Sequence, residues 1–352
     1  MQRNIHGGDI YSEVIEYDFS VNTNPLECAQ LHKALLERAS VKLGHYPDPE
    51  QRRFREAVAR IEGVASENVW GCNGASEGFM AIVNMLNPAK ALLIDPCFAG
   101  YRYALAAKNC RIETYRLDEA NDFQVGEAFI EDLKKYAGEG LDLLMFANPN
   151  NPTGKVISED ILIAILEICR VHDIKLVIDE CFLRMSSSKK SMVQHINEYN
   201  GLYVVNAFTK LFSIPGIRVG YIVSQAQNIE RIKGFTPEWN MSVLAHEAGV
   251  LCGEYLSDRN WQQETDRLVL EERRFLQDEL RRLGLEVCDS DTCFILFCSN
   301  ITDLKEELIK RRILIRDCSN YEGLGKGYYR IAVKQHSENV ELIAALKDII
   351  GG

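Results

Sequence analysis

Short apolar segments alternate with helical patterns between about residues 90 and 225, and this alternation constrains the fold more than any other feature of the chain. Helical periodicity is clearest in residues 158–172, where Ser158 is a candidate N-cap, and another helix is expected near 99–108. The segments predicted as strands are 91–95, 141–147, 174–179, 202–208 and 218–223. Such alternation predicts an α/β fold, in which helices cover both faces of a mostly parallel sheet.

After about residue 240 the pattern changes to that of a smaller α+β unit. A long charged helix is predicted at 259–283, and a final helix closes the chain. The strands expected between them are 293–298, 312–316 and 328–333. We therefore expect an N-terminal arm that completes a small domain (1–43), a large domain that contains the main sheet (44–240) and a small C-terminal domain (241–352).

The composition excludes several classes of function. The 352 residues carry a formal net charge of −11, with 46% hydrophobic and 26% charged residues. Such a chain disfavours nucleic-acid and anionic-membrane partners, which require a basic surface. No stretch approaches 18 uninterrupted apolar residues and the opening residues lack a secretory signal, so we expect a cytoplasmic protein. The eleven cysteines include no C-x-x-C pair, and we interpret them as reduced core thiols with no metal site.

Polar residues stand where three of the predicted strands end. Asn151 lies in the turn NPNNPTG, Asp179 ends its strand, and Lys210 follows the next strand. Each has an ordinary explanation: a rigid turn, a helix N-cap or ion pair, and a lysine that reaches solvent. Ligands of open α/β sheets, however, bind at the carboxyl ends of the strands. We therefore expect these three side chains to share one crevice.

A glycine-rich turn, GCNGASEG, leads into an apolar helix predicted at 76–87, and backbone amides at such a helix start form an anion site. Arg218, in AFTKLFSIPGIRVGY, adds a second partner for an anion. The spacing G-x-G-x-x-G is absent, and TGKV lacks the Ser or Thr that follows a P-loop lysine, so neither nucleotide motif applies. An anion site, an amide, a carboxylate and a lysine together suit a phosphorylated aromatic cofactor that forms an imine.

The motifs YPDP, NGASEG, NPNNPTG, VIDE and TKLFSIPGIRVGY occur in the order and spacing of fold-type I pyridoxal-phosphate enzymes. Over nearly its whole length the chain resembles the aminotransferase class I/II group of that family. The resemblance implies pyridoxal 5′-phosphate as cofactor and a large, mostly parallel sheet with a smaller α+β domain. It also implies a homodimer, because Tyr46 is similar to a tyrosine that reaches the phosphate of the neighbouring subunit's cofactor.

The same resemblance implies roles for individual residues. Lys210 resembles the lysine that binds the cofactor covalently, Asp179 the partner of its ring nitrogen, and Asn151 the donor to its 3′-oxygen. Phe98, in DPCFAGY, resembles the aromatic residue that stacks on the ring. The positions that match the phosphate site and the adjoining cofactor contacts are Ala75, Ser76, Thr209 and Arg218. Arg330, in YYRIAV, resembles the arginine that binds the substrate carboxylate.

One position departs from the wider family, since Phe182 stands where many members have a tyrosine that bonds the 3′-oxygen. The opening HGGDIYSEVIEYDFSVNTNPLE, the phenylalanine and the segment ILIRDCSNYEGLGKGYYRIAVK resemble the L-threonine-O-3-phosphate decarboxylases of cobalamin biosynthesis. This resemblance implies a phosphorylated amino-acid substrate held in a cationic pocket. The substrate-binding residues predicted from it are His6, Gly8, Asn24, Asn151, Arg316, Arg330 and Lys334.

Other interpretations stay open at this point. Without the resemblance, a surface ion pair explains Arg316, a disordered terminus explains His6, and a turn explains Asn24. Histidinol-phosphate aminotransferases are close relatives, although they typically have tyrosine at the position of Phe182 and lack the His-Gly-Gly opening. A transcription regulator with an aminotransferase-like domain would carry a basic DNA-binding domain, which we do not expect in this acidic chain. Phosphoserine differs from phosphothreonine by one methyl group, worth only about 1–3 kcal/mol in a pocket.

Overall fold

The computed structural model describes residues 6–351, apart from the side chain of Arg259. The strands are β1 (Tyr17–Asp18), β2 (Val69–Cys72), β3 (Lys90–Asp95), β4 (Arg111–Arg116), β5 (Leu143–Ala147), β6 (Lys175–Asp179), β7 (Leu202–Ala207), β8 (Gly220–Val223), β9 (Glu286–Val287), β10 (Phe294–Cys298), β11 (Ile313–Leu314), β12 (Arg316–Asp317) and β13 (Tyr328–Ala332). The α-helices are α1 (Ala29–Ser40), α2 (Arg52–Glu62), α3 (Ala75–Leu86), α4 (Ala99–Ala106), α5 (Glu127–Gly138), α6 (Glu159–Val171), α7 (Phe208–Leu211), α8 (Ala226–Lys233), α9 (Val243–Leu256), α10 (Arg259–Arg282), α11 (Leu304–Ile309) and α12 (His336–Gly351).

A seven-stranded sheet, in the order β2-β8-β7-β6-β5-β3-β4, forms the centre of the described chain. β8 runs antiparallel to both of its neighbours, whereas the remaining pairs are parallel. The expectation of a mostly parallel sheet is therefore confirmed. The register places Ala147 beside Asp179 and Asp179 beside Val205, so β5, β6 and β7 end together at one edge.

Both faces of this sheet are covered, as its continuous apolar strands predict. Successive side chains of a strand point to opposite faces. Accordingly, Leu143 and Met145 join one apolar cluster with residues of α3 and α4, whereas Leu144 and Phe146 join another with residues of α5 and α6. Helical layers on both sides leave the carboxyl edge of the sheet as the place where polar side chains collect.

Two smaller sheets are built mainly from the last third of the chain. β12, β13, β10 and β9 form one of them, and β1 pairs in parallel with β11 to form the other. The strand predicted at 312–316 is therefore two short strands that pair in different sheets. The chain around Phe19 links them, because Phe19 N–H donates to Leu314 O while Phe19 O accepts from Ala332 N–H. The N-terminal segment thus joins the C-terminal sheets, although the domain boundaries given above stay a prediction.

Some local expectations need correction or refinement. Ser158 occupies the N-cap position of α6, but its side chain makes no capping hydrogen bond. All eleven cysteines are free thiols; Cys169 and Cys293 are buried as expected, and Cys298 is only partly buried. Within residues 6–351, no helix combines the length and the apolar character needed to cross a membrane.

Asn24 ties the N-terminal segment to the turn that carries Lys210. Its backbone N–H donates to Lys210 O at 2.9 Å. Its side-chain Nδ2 donates to Leu211 O at 2.9 Å and to Thr265 Oγ1 at 3.0 Å. Its carbonyl accepts from Ser213 Oγ at 3.0 Å. Asn24 is therefore a structural link between this segment, α7 and α10.

Asn24→Ala should lower the free energy of unfolding by about 1–3 kcal/mol, because it leaves the buried partners of Nδ2 unsatisfied. The measurement is urea unfolding of the protein without cofactor. Asn121→Ala is the matched control, since Asn121 is exposed and its side chain makes no hydrogen bond within the described chain. Equal stability of the two variants would contradict the structural role of Asn24.

Candidate active site

The carboxyl edge of the large sheet opens into a cavity of about 320 Å³. β6 ends in Asp179, β7 runs directly into the short helix α7 that carries Lys210, and the loop after β5 supplies Asn151. The lining residues predicted from the sequence are His6, Ala75, Ser76, Phe98, Asn151, Asp179, Thr209, Lys210, Arg218, Arg316 and Arg330. Residues separated by more than 300 positions thus share one site.

Asp179 is the acidic group of the cavity. Its Oδ2 accepts a hydrogen bond from Tyr101 Oη at 2.7 Å, and its Oδ1 accepts one from the backbone N–H of Cys181 at 3.0 Å. Burial raises the pKa of the carboxyl, while the hydrogen bonds and the charge of Lys210 act in the opposite direction. A cationic ligand atom against this carboxylate would relieve the cost of its burial.

Lys210 lies on α7, between buried Thr209 and Leu211. Burial lowers the pKa of its amine, and the positive charges of Arg330 and Arg218 lower it further. A lowered pKa means that the amine becomes neutral at a lower pH than an exposed lysine does. Neutral amines are nucleophilic, so Lys210 is suited to attack an aldehyde carbon.

Gly74, Ala75 and Arg218 form a cradle at one end of the cavity. Gly74 precedes α3 with φ 76° and ψ 164°, a conformation that is essentially restricted to glycine. A Cβ atom at Gly74 would lie 2.4 Å from the Arg218 guanidinium, and one at Gly220 would lie 2.7 Å from the Ala75 nitrogen. The cradle therefore brings a helix N-terminus and a guanidinium close together, as an oxyanion requires.

Two arginines make the other end of the cavity cationic, and His6 lies beside them. Arg316 and Arg330 are 7% and 6% exposed, which is rare for arginine unless it is paired. Arg330 donates to Asn151 Oδ1 and, at 3.0 Å, to Ser20 O, but its buried Nε has no hydrogen-bond partner among the described residues. Partial burial lowers the pKa of His6, and the charges of Arg316 and Arg330 lower it further.

Phe98 and Phe182 are among the aromatic residues that line the cavity beside these polar groups. Phe98 lies 5.8 Å from the His6 ring and 5.6 Å from the Tyr101 ring, between centroids. Phe182, at the position where a tyrosine is common, packs edge-on against Phe294 at 4.9 Å. Phe182 therefore supplies an apolar wall and no hydroxyl group.

Four residues predicted for the site lie outside the cavity lining. The side chain of Asn24 is directed to Leu211 and Thr265, because its amide satisfies buried groups there. Gly8 adopts φ 88° and donates its N–H to Ser20 Oγ, so that Gly7 lines the cavity instead. Lys334 is partly buried at the end of β13. Tyr46 is 78% exposed and stacks on Trp239 at 4.6 Å.

Other lining residues escaped the sequence reasoning. Asn22 is 2% exposed and its Oδ1 has no hydrogen-bond partner among the described residues, although it lies in the cavity wall. The motif NTNP offers two asparagines, and only the fold decides that the first faces the cavity. Tyr321 Oη lies 3.4 Å from Arg330 Nη1 and 3.5 Å from Asn151 Oδ1. Nothing in the sequence segment SNYEGLG indicated that Tyr321 would lie in the site.

The site can now be compared with known proteins. The model of the family described as aminotransferase class I and II matches residues 14–346. The chain belongs to this family. It is a pyridoxal-phosphate-dependent enzyme, as the sequence motifs predicted. The residues present fit this cofactor, because a buried carboxylate and a lysine with a lowered pKa share a cavity with a helix N-terminus and the Arg218 guanidinium, which suit a phosphate.

Individual relatives cover nearly the whole chain. A protein of Salmonella typhimurium named threonine-phosphate decarboxylase is 33% identical over 340 residues, which are 95% of this chain and 91% of that protein. The crystal structure of histidinol-phosphate aminotransferase from Clostridium acetobutylicum is 28% identical, with a TM-score of 0.87 over 96% of this chain and 99% of that one. The crystal structure of L-threonine-O-3-phosphate decarboxylase from Porphyromonas gingivalis is 25% identical, with a TM-score of 0.83 over 96% and 100%.

Gly74→Ala should weaken pyridoxal 5′-phosphate binding by about tenfold or more, because the new Cβ displaces the Arg218 guanidinium from the cradle. Binding of pyridoxal, which has no phosphate, should change little. The measurement is titration of the cofactor-free protein with each compound. Gly63→Ala is the control, since Gly63 also has positive φ but has open space around it. An equal loss of affinity for both compounds would contradict the phosphate assignment.

Proposed function

We propose that this enzyme decarboxylates an O-phosphorylated amino acid, with L-threonine O-3-phosphate as substrate and (R)-1-aminopropan-2-yl phosphate as product, in cobalamin biosynthesis. The observation that carries the proposal is the pair of buried arginines, Arg316 and Arg330, beside His6 in one cavity wall. A substrate with a carboxylate and a phosphate presents two anions to this wall. The similarity to the Salmonella decarboxylase supports the same reaction.

Each arginine is held in place by the protein. Arg330 is fixed by Asn151 and by the Ser20 carbonyl, and its Nε remains to bind an anion. Arg316 donates to Asn320 Oδ1 at 2.6 Å and lies over the Tyr321 ring at 5.3 Å. We assign the carboxylate to Arg330 and the phosphate to Arg316 and His6. Guanidinium groups suit both, because they bind planar and tetrahedral oxyanions with paired donors.

When bound, pyridoxal 5′-phosphate supplies a ring that accepts the electron pair left at Cα as the carboxylate leaves as carbon dioxide. In this assignment, Asp179 would hold the ring nitrogen protonated and Asn151 would donate to the 3′-oxygen. Phe182 would add no second donor there, because its side chain has no hydroxyl group. Binding of the substrate phosphate by Arg316 and His6, together with binding of the carboxylate by Arg330, would fix the orientation of the substrate in the cavity.

Lys210 handles the proton that completes the reaction. Loss of carbon dioxide leaves Cα with an electron pair, and one proton must be delivered to it before the amine product is released. The lowered pKa of Lys210 makes its ammonium form a better proton donor than an exposed lysine. Since the positive charge of Arg330 contributes to this lowering, the substrate-binding wall and the proton donor are coupled.

Histidinol-phosphate aminotransferase is the second candidate. The similarity to the aminotransferase of Clostridium acetobutylicum favours it, and its substrate also carries a phosphate. An aminotransferase breaks the Cα–H bond and needs a keto acid to accept the amino group. The two functions therefore differ in their requirement for a second substrate.

The protein loaded with cofactor should release carbon dioxide and aminopropanol phosphate from L-threonine O-3-phosphate without any keto acid. Phosphoserine in a parallel reaction measures selectivity for the methyl group. Lys210→Ala is the control for background release. Absence of carbon dioxide, with histidinol phosphate consumed only when 2-oxoglutarate is present, would overturn the decarboxylase in favour of the aminotransferase.

We also propose that the enzyme is a homodimer in which Tyr46 completes the site of the partner subunit. Tyr46 is highly exposed in a single chain, and it stacks on Trp239, which is 45% exposed. Further exposed apolar side chains near it in sequence are Leu36, Val41 and Leu43. A second copy of the chain would cover apolar surface that is otherwise in water.

Mixing Tyr46→Ala chains with Lys210→Ala chains, after dissociation and reassembly, should restore about a quarter of the wild-type activity. Half of the random dimers are hybrids, and each hybrid has one intact site. Each variant reassembled with itself is the control. No recovery, in a preparation that light scattering shows to contain dimers, would contradict the contribution of Tyr46 across the interface.

A further inference from the structure

Tyr101 is a buried tyrosine that touches the acidic group of the active site. None of its surface is exposed, and its Oη donates to Asp179 Oδ2 at 2.7 Å. Two rings hold its orientation: Phe79 packs edge-on at 5.1 Å and Phe98 at 5.6 Å. Phe98 is the N-cap residue of α4 and Tyr101 lies in its first turn, so the start of this helix places Phe98 in the cavity lining and Tyr101 against Asp179.

The groups that face Asp179 come from three elements. Tyr101 reaches it from α4, Cys181 offers its backbone N–H and its thiol just after β6, and Lys210 adds positive charge from α7. Burial raises the pKa of Asp179, and all three neighbours lower it. Burial and the charge of Asp179 raise the pKa of Tyr101 well above its ordinary value, so the phenol keeps its proton and acts as the donor.

We propose that Tyr101 is a positioning residue that keeps the Asp179 carboxylate ionised and oriented towards the ring nitrogen of the cofactor. A buried carboxylate without such a donor would favour its neutral form, which cannot form an ion pair with a protonated ring nitrogen. The hydroxyl of Tyr101 thereby acts on the cofactor through Asp179 and never touches it. This role is the same for a decarboxylase and an aminotransferase, so it does not depend on the proposed substrate.

Tyr101→Phe tests the proposal through cofactor binding and needs no activity assay. The cofactor-free protein is titrated with pyridoxal 5′-phosphate and with its analogue in which carbon replaces the ring nitrogen. The variant should bind pyridoxal 5′-phosphate about tenfold more weakly, because a hydrogen bond to a charged group is lost, and should bind the analogue unchanged. Tyr103→Phe is the matched control, since Tyr103 is on the same helix but 63% exposed.

The pH dependence supplies a second readout. The hydrogen bond from Tyr101 lowers the pKa of Asp179, so Tyr101→Phe should raise that pKa. As the pH is lowered, Asp179 then becomes protonated earlier, and the preference for pyridoxal 5′-phosphate over the analogue should begin to fall at a higher pH in the variant than in the wild-type protein. In an Asp179→Asn background, Tyr101→Phe should add no further loss of this preference. A merely structural role would weaken binding of both compounds equally and leave the pH profile unmoved.

Either of two results overturns the proposal. The first is an unchanged preference for pyridoxal 5′-phosphate over the analogue in Tyr101→Phe. The second result concerns the wild-type protein and applies even if that variant does not fold. The proposal requires that the wild-type preference for pyridoxal 5′-phosphate persists at neutral pH and falls only on acidification. A wild-type preference that is already lost at neutral pH would show that Asp179 is not kept ionised.

Discussion

The charges of Asp179 and Lys210, brought together at the ends of neighbouring parallel strands, are the constraint on which the rest of this structure depends. Charged groups inside a protein are costly unless compensated. Asp179 is compensated by Tyr101 and Cys181, and Lys210 by a lowered pKa that favours its neutral form. The sheet can hold both groups close together because apolar clusters cover its two faces, and the strands that carry the groups end at the same edge.

Around this pair the cavity has two cationic ends. One end is a cradle made by Gly74, the start of α3 and Arg218, and the other is a wall with Arg316 and Arg330. The first end belongs to the large sheet and the second to a small one, so their separation is set by how the sheets pack. The N-terminal segment links them, since Ser20 binds Arg330 while Asn24 binds the Lys210 turn.

The two ends of the cavity also explain how relatives that are named as decarboxylases and as aminotransferases can share this fold. In the proposed assignment, the carboxylate, the lysine and the cradle hold the cofactor, and this role does not depend on which bond of the substrate breaks. The wall with Arg316, Arg330, Asn22 and Tyr321 lines the rest of the cavity, and the proposed function assigns the substrate groups to it. Phe182 makes no polar contact with either group of residues, because its ring packs against Phe294. Asn151, in contrast, accepts a hydrogen bond from Arg330. Differences between the reactions are therefore expected at the wall, in residues distant in sequence from Lys210.

The sequence by itself determined the α/β architecture and the cofactor, because apolar periodicity and short motifs such as NPNNPTG act locally. It also placed Asp179 and Lys210 at strand ends, where adjacent parallel strands must bring them together. Only the tertiary structure decided that Asn22 rather than Asn24 lines the cavity, that 312–316 divides between two sheets, and that Tyr101 reaches Asp179. Those outcomes depend on contacts between residues about 80 to 300 positions apart. No local pattern encodes such contacts, since they arise when whole layers pack.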